Sequence, residues 1–291
     1  MSLPRIGVVI VTMGTRPREL EALLASVERQ DVRATRVVLV GNATPLTDVA
    51  TDATKIPLEE NLGCPGGRNV GLELLRDSGD VDVVIELDDD GLLIADDVFR
   101  TVQRLFAQDP ELGIIGFRVA DEHGQTERRW VPRLRADDPM RRGPVTAFLG
   151  GGHAFSMPML RQTGLWAGEF FFGHEESDLA WRALDEGWKI LYEPGLVLQH
   201  PKTSPARHAV HYRFTARNRV WLARRRLPLP LIPVHLGVWI LLTMTRTRSL
   251  TGLKAWWGGF LEGVRTSCGP RKPMRWRTVW RMTRLGRPPI L

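Results

Sequence analysis

Cysteine is nearly absent from this chain: Cys64 and Cys268 are the only two among 291 residues, 204 positions apart. They make no metal-ligand spacing, and a chain of this length needs no disulfide to hold a core, so the pair suits a reducing compartment. The first apolar run, Ile6–Val11, is too short for the hydrophobic part of a secretory signal and lacks a small-residue cleavage pattern. It reads instead as a first strand, and the part that it opens is expected to remain in the cytoplasm. An unbroken bilayer span is also missing: Leu227–Met244 is apolar but carries Pro228, Pro230, Pro233 and His235, whereas a clean span wants ~20 apolar residues. There is no repeat of solenoid period and no low-complexity tract.

Acidic residues are almost missing from the last third. Between Lys202 and Leu291 there are 19 Lys and Arg against Glu262 alone, which leaves 21 basic and 32 acidic residues in 1–201. The formal charge of +7 is therefore the difference between an acidic module and a strongly basic one. The basic part calls for an anionic partner, a membrane surface or a nucleic acid. What is present is otherwise ordinary: 43% hydrophobic and 25% charged residues, 28 Gly and 20 Pro exclude collagen, coiled coil and wholesale disorder.

Patterning predicts an α/β class. Ile6–Val11 and Arg36–Val40 are β-branched runs of the kind buried on both faces of a parallel sheet. Between them Leu20, Leu23, Leu24 and Val27 mark one helix face, with Thr15 as its expected cap and Pro17 in its first turn. A Gly-rich turn, Asn61–Asn69, opens a second helix. The strand Val83–Leu87 runs directly into Asp88-Asp89-Asp90, followed by a helix over about Ala95–Gln108 and a strand over Gly113–Val119. Asp121–Pro144, polar and Arg-rich, reads as a mobile loop. Another helix follows Gly173-His174-Glu175-Glu176, and Gly187 can end it.

Three constellations carry chemistry. In an extended chain Asp88 and Asp90 project to one side and Asp89 to the other. Like charges so close at the carboxyl end of a strand are unfavourable unless a cation sits between them, which suits Mg²⁺ or Mn²⁺ with oxygen ligands; a solvated acidic turn is the plain alternative. Glu175 and Glu176 fall at a helix N-terminus, where the dipole favours ionised carboxylates, so either can serve as a general base if it faces a cleft. Asp178 and Arg182 have i, i+4 spacing for a surface pair, and a well-capped amphipathic helix explains the same segment without chemistry. His200, after an apolar stretch, is structural unless the fold returns it to the aspartates.

Strand Ile6–Val11 with Thr12, strand Arg36–Val40 with Gly41-Asn42, the Asn61–Gly71 turn, Leu87-Asp-Asp-Asp, Gly151-Gly152, Gly173-His-Glu-Glu-Ser-Asp-Leu, His200 and Arg217-Asn218 follow one another in a distinctive order. Together they resemble family-2 glycosyltransferases, most closely bacterial rhamnosyl- and galactofuranosyltransferases, over about residues 5–225. The resemblance implies a GT-A-type, Rossmann-like, mostly parallel sheet flanked by helices, with a catalytic domain over 1–201 and a basic, mainly helical, Trp-rich region over 202–291. It implies an inverting, metal-dependent transfer from a UDP-, dTDP- or GDP-linked sugar to a glycan or lipid-linked acceptor.

Residue by residue, the resemblance puts Thr12, Asn42, Asn61, Gly63, Arg68, Asp88 and Asp89 on the nucleotide-sugar. Asp90, Asp88 and His200 would take the metal, and Gly151, Gly152 and His153 would line the acceptor side. Glu176 would be the base, with Glu175 and Asp178 in reserve. A sugar nucleotidyltransferase and a non-catalytic membrane or nucleic-acid adaptor are the alternatives. For the basic region, Trp221, Trp239, Trp256, Trp257, Trp276 and Trp280 beside Lys and Arg fit peripheral attachment to the inner face of the cell membrane. Packing in a homo-oligomer is a second expectation, and nucleic acid is a weaker one.

Overall fold

The computed structural model describes residues 3–134, 138–201 and 209–291. The first half alternates strand and helix: β1 (Ile6–Thr12), α1 (Pro17–Glu28), β2 (Arg36–Gly41), β3 (Thr54–Pro57), α2 (Gly63–Ser78), β4 (Val83–Asp88), β5 (Leu92–Leu93), α3 (Val98–Gln108) and β6 (Leu112–Ala120). After it come β7 (Gly143–Pro144), β8 (Gly152–Ser156), α4 (Met157–Thr163), α5 (Glu175–Asp185) and β9 (Lys189–Gln199). The basic region folds as α6 (Ala209–Arg226), α7 (Leu231–Arg246), α8 (Leu250–Arg265) and α9 (Trp276–Arg284). The expected boundary after residue 201 adjoins 202–208, which lie outside the described residues.

All strands join one sheet in the order β3-β2-β1-β4-β8-β6-β9-β5, with β7 on β9. The sheet is mixed, with most of its paired residues in parallel register, as the sequence implies. β1–β2, β1–β4, β2–β3 and β6–β9 run parallel, whereas β4–β8, β6–β8, β5–β9 and β7–β9 run antiparallel. A continuous apolar run records burial on both faces and says nothing of a neighbour's direction. Side-chain alternation divides the strands between two cores. Val8, Ile10, Ile85 and Leu87 pack with α1 and α3, while Val9 and Val84 pack on the opposite face with α2, α4 and α5. Gly71 brings α2 close to the sheet, because a Cβ there would lie 2.6 Å from Val9 Cγ1.

The basic region packs against helices of the region before it. Trp221 and Leu222 of α6, Leu227 just after it, Met274 before α9, and Val279 and Met282 of α9 belong to the same apolar cluster as α4 and α5. α8 lies directly on the α6 backbone at Gly259 and Gly263, where a Cβ would meet Arg213 O and Arg217 O. Glu262, the lone acid of this region, pairs with Arg213 at 2.6 Å and Arg217 at 3.5 Å. No helix among the described residues is long and apolar enough to cross a membrane.

The 121–144 segment, expected as a mobile loop, is pinned along its described part. Arg118 Nη1 donates to Thr126 Oγ1 at 3.1 Å, Tyr192 Oη donates to Pro139 O at 2.9 Å, and Arg142 pairs with Glu193 at 2.5 Å.

Candidate active site

Val11 pairs with Asp88 and Thr12 with Gly41, so the carboxyl ends of β1, β2 and β4 form one edge bearing Thr12, Asn42 and the aspartates. Ligands of open α/β sheets bind at such an edge. Asn42 is buried there and its side chain is fully engaged. It donates to Asn61 Oδ1 at 3.0 Å and Gly63 O at 3.1 Å, and accepts from Leu62 N at 2.9 Å. Asn61 Oδ1 in turn accepts from Gly63 N at 2.8 Å. Asn42 and Asn61 thus clamp the turn into α2. Gly63 adopts φ 73°, and a side chain there would collide with Phe171 O.

The three aspartates do not alternate as an extended strand would have them. β4 ends at Asp88, and Gly91 N donates back to Asp88 O at 2.9 Å, so Asp89 and Asp90 sit in a turn. Asp88 Oδ1 accepts from Arg68 Nη2 at 2.6 Å. Asp89 Oδ2 accepts from Thr12 Oγ1 at 2.6 Å, and burial, with Asp88 adding to it, raises its pKa against that bond. Asp90 Oδ1 lies 3.2 Å from His200 Nε2, so the fold does return His200 to the aspartates, while Asp90 Oδ2 pairs with Arg16. Arg16, not Thr15, stands at the N-cap of α1, which no side chain caps.

Beneath the edge is a buried polar network. Glu86, wholly buried in β4, accepts from Trp166 Nε1 at 3.1 Å and contacts His153 Nε2 at 2.7 Å, while His153 Nδ1 meets Leu149 O at 3.0 Å. His153 is therefore an interior residue with both ring nitrogens engaged. Above it Arg68, 2% exposed, donates through Nη2 to Gly150 O at 2.5 Å, and its Nη1 has no partner. A Cβ on Gly150 would lie 2.5 Å from Glu176 Oε1 and 3.7 Å from Arg68 Nη1. Glycine at 150 thus leaves room for a carboxylate and a free guanidinium N–H on one side of the backbone. At Gly151 the same construction meets Asp88 Oδ2 at 3.5 Å and His200 Cδ2 at 4.0 Å. Gly152 pairs with Leu87 inside the sheet.

The acidic pair opens α5. Glu175 is buried with Oε2 unpartnered; burial, reinforced by Glu176, pushes its pKa up to about 8. Burial also raises Glu176, with Arg68 and His153 pulling the other way. Asp178 differs in kind. It accepts from Arg182 Nε at 2.8 Å and Arg226 Nε at 2.6 Å, and though burial opposes its charge these cations hold it below the usual carboxylate range. Removing that charge would strand buried guanidinium groups, so Asp178 serves the structure as a paired anion.

For a divalent cation the fit rests on donor chemistry. Asp90 and His200 are brought together, but no group of three or more His, Cys, Asp or Glu among the described residues converges on one point. Mg²⁺ and Mn²⁺ keep several waters and take phosphate oxygens, so a carboxylate and an imidazole suffice from the protein. Asp88 Oδ1, held by Arg68, is committed elsewhere.

Sequence reasoning missed three contributors. Glu86 had a signal, a lone charge inside an apolar strand. Gly150 had none beyond its Gly neighbours. Asn218 was seen only as part of a motif; its Nδ2 donates among Phe170 O, Phe172 O and Gly173 O at 2.8–2.9 Å, fixing the loop before Glu175.

Residues 8–165 match the family model described as glycosyl transferase family 2. The chain belongs to this family, and its fold is of the GT-A type. Among solved structures it is similar to GalNAc-T7 with UDP, GalNAc and Mn²⁺, at 14% identity and a TM-score of 0.64 over 88% of this chain and 54% of that one. It thus spans about half the length of that relative. It is also similar to residues 1–349 of TarS from S. aureus, at 15% identity and a TM-score of 0.60 over 90% and 81% of the two chains. A third is the mannosyltransferase PcManGT from Pyrobaculum calidifontis with GDP-Man and Mn²⁺, at 18% identity and a TM-score of 0.54 over 98% and 85%. None of these three is named a rhamnosyl- or galactofuranosyltransferase. At such identities the likeness is one of fold. A search among curated protein sequences finds no match.

Proposed function

We propose that the chain is an inverting glycosyltransferase that moves a hexosyl or deoxyhexosyl group from a UDP-, dTDP- or GDP-linked sugar to a hydroxyl of a glycan, lipid-linked or cell-envelope acceptor. The observation that carries this reading is that Glu176 Oε1 and the unpartnered Arg68 Nη1 both face the same side of Gly150. Glu176 takes the acceptor's hydroxyl proton, and the oxygen attacks the anomeric carbon. The bond from that carbon to the diphosphate breaks, and its electron pair leaves with the nucleotide. Arg68, whose planar fork suits phosphate oxygens, binds the departing charge. One displacement inverts the anomeric centre. Asp90 and His200 would hold Mg²⁺ or Mn²⁺, which when bound offsets diphosphate charge. The basic helices are read as peripheral attachment to the inner face of the cell membrane.

The test is sugar transfer by Glu176→Gln and Asp90→Asn, after a thermal-shift panel of nucleotide sugars with and without Mn²⁺ has found the donor. Glu176→Gln is expected to lower transfer by about 10²–10⁴-fold while keeping the donor's thermal shift. Asp90→Asn is expected to lose the Mn²⁺-dependent part of that shift. Near-normal transfer by both variants sinks the assignment.

A further inference from the structure

We propose that the acceptor is recognised through an anion: the molecule bearing the acceptor hydroxyl carries a phosphate, gripped by Arg287 of the C-terminal segment and by Arg128, Arg129 and Arg133. This rests on the reading of Glu176 as the base.

A cavity of about 350 Å³ opens against Glu176 and Gly150. Val131, Phe148 and Leu149 give it an apolar wall, and Arg128, Arg129, Arg133 and Arg287 line it. Glu176 is the single acid among its lining residues. Of the four arginines, only Arg129 has a carboxylate partner recorded among the described residues, Glu127 at 2.6 Å. Arg133 donates to Arg141 O at 2.6 Å, lies 5.3 Å from the Tyr192 ring centroid and has the charge of Asp138 near it. Arg128 is exposed.

More positive charge stands behind Arg287. Arg219, its guanidinium 3.5 Å from the Trp239 ring centroid, is pulled down to about 9 by burial and by Arg287.

Four like charges against fewer acids raise the free energy of the empty site and lower it once an anion arrives. A neutral sugar would recover none of this. A phosphate offers oxygens to several planar forks at once, and its place beside Glu176 would present a neighbouring hydroxyl to the base. The phosphate can belong to a lipid-linked acceptor or to a soluble phosphorylated glycan, since both offer the same oxygens.

Isothermal titration of the full chain with octyl phosphate, glycerol phosphate and the neutral octyl glucoside tests the proposal without turnover. At least one phosphate is expected to bind about tenfold tighter than octyl glucoside, and the better of the two names the source. Arg287→Gln and the exposed Arg128→Gln should each weaken that binding about tenfold, Arg287→Lys should restore most of it, and Arg68→Gln should leave it in place. Equal affinity for octyl glucoside overturns the proposal. So does binding that vanishes in Arg68→Gln and survives in Arg128→Gln and Arg287→Gln, because it then belongs to the donor cleft. If Glu176→Gln transfers sugar normally, the base assignment alone fails, whatever the titration gives.

Discussion

Asn218 Nδ2 donates to Gly173 O at 2.8 Å, joining the first helix of the basic region to the turn two residues ahead of Glu175. The same amide reaches Phe170 O and Phe172 O, and Arg217 Nη2 adds a bond to Phe170 O at 2.9 Å. Phe171 and His174 both have positive φ, 64° and 71°, an unfavourable geometry for residues with side chains that surrounding bonds must hold. α6 therefore builds part of the site.

Asn218→Ala strips those carbonyls of a buried donor. The expected loss of stability is about 1–3 kcal/mol, with a fall in kcat larger than any change in donor affinity, since Thr12 and Arg68 are held elsewhere. Denaturant unfolding and transfer kinetics check both. An unchanged kcat in a destabilised but folded protein would reduce Asn218 to ordinary packing.

Much of this arrangement was legible beforehand, and its gaps have physical causes. β1, β2 and β4 follow from unbroken β-branched runs, and the aspartates and the acidic pair stand out as charges at the ends of elements. The partners of the aspartates were hidden because β4 stops at Asp88, after which extended-chain alternation fails. Asn42 and Asn61 have the right chemistry for a nucleotide, yet their bonds close on the turn between them, which only three-dimensional register decides. Asp178 looked like surface charge because Arg226, 48 positions away, is close only in space.

The Glu175 carboxyl gives a pH signature of stability. Its pKa rises from an unfolded value near 4.5 to about 8 when folded, so the native state binds the proton more tightly. The stabilisation is full below the unfolded value and is lost as pH rises through about 8. Thermal unfolding from pH 5 to pH 9 should show a falling Tm, and Glu175→Gln should flatten that fall by an amount on the order of a few kcal/mol. A variant that tracks the wild type across this range would mean that Glu175 is ionised throughout.

The membrane reading makes its own demand on the basic region. Leu241 and Met244 of α7 and Leu250, Trp257, Leu261 and Val264 of α8 are exposed. Within α8 these recur on one face, opposite Gly252, Trp256, Gly259 and Gly263, which pack inward. Exposed Arg246, Arg248, Lys254 and Arg265 flank them. With 16 residues, α7 extends about 24 Å, less than the ~30 Å hydrocarbon core, so it suits lying in an interface and not crossing it. Each basic side chain near an anionic surface contributes about 1 kcal/mol. Flotation with vesicles containing phosphatidylglycerol should therefore carry the wild type upward and release it at high salt. Leu241→Glu with Leu261→Glu should remain at the bottom while still unfolding cooperatively. Failure of the wild type to float, with a dimer that these substitutions split, would assign the stripe to a second copy of the chain. Tight, salt-sensitive binding to RNA in its place would assign the basic face to nucleic acid.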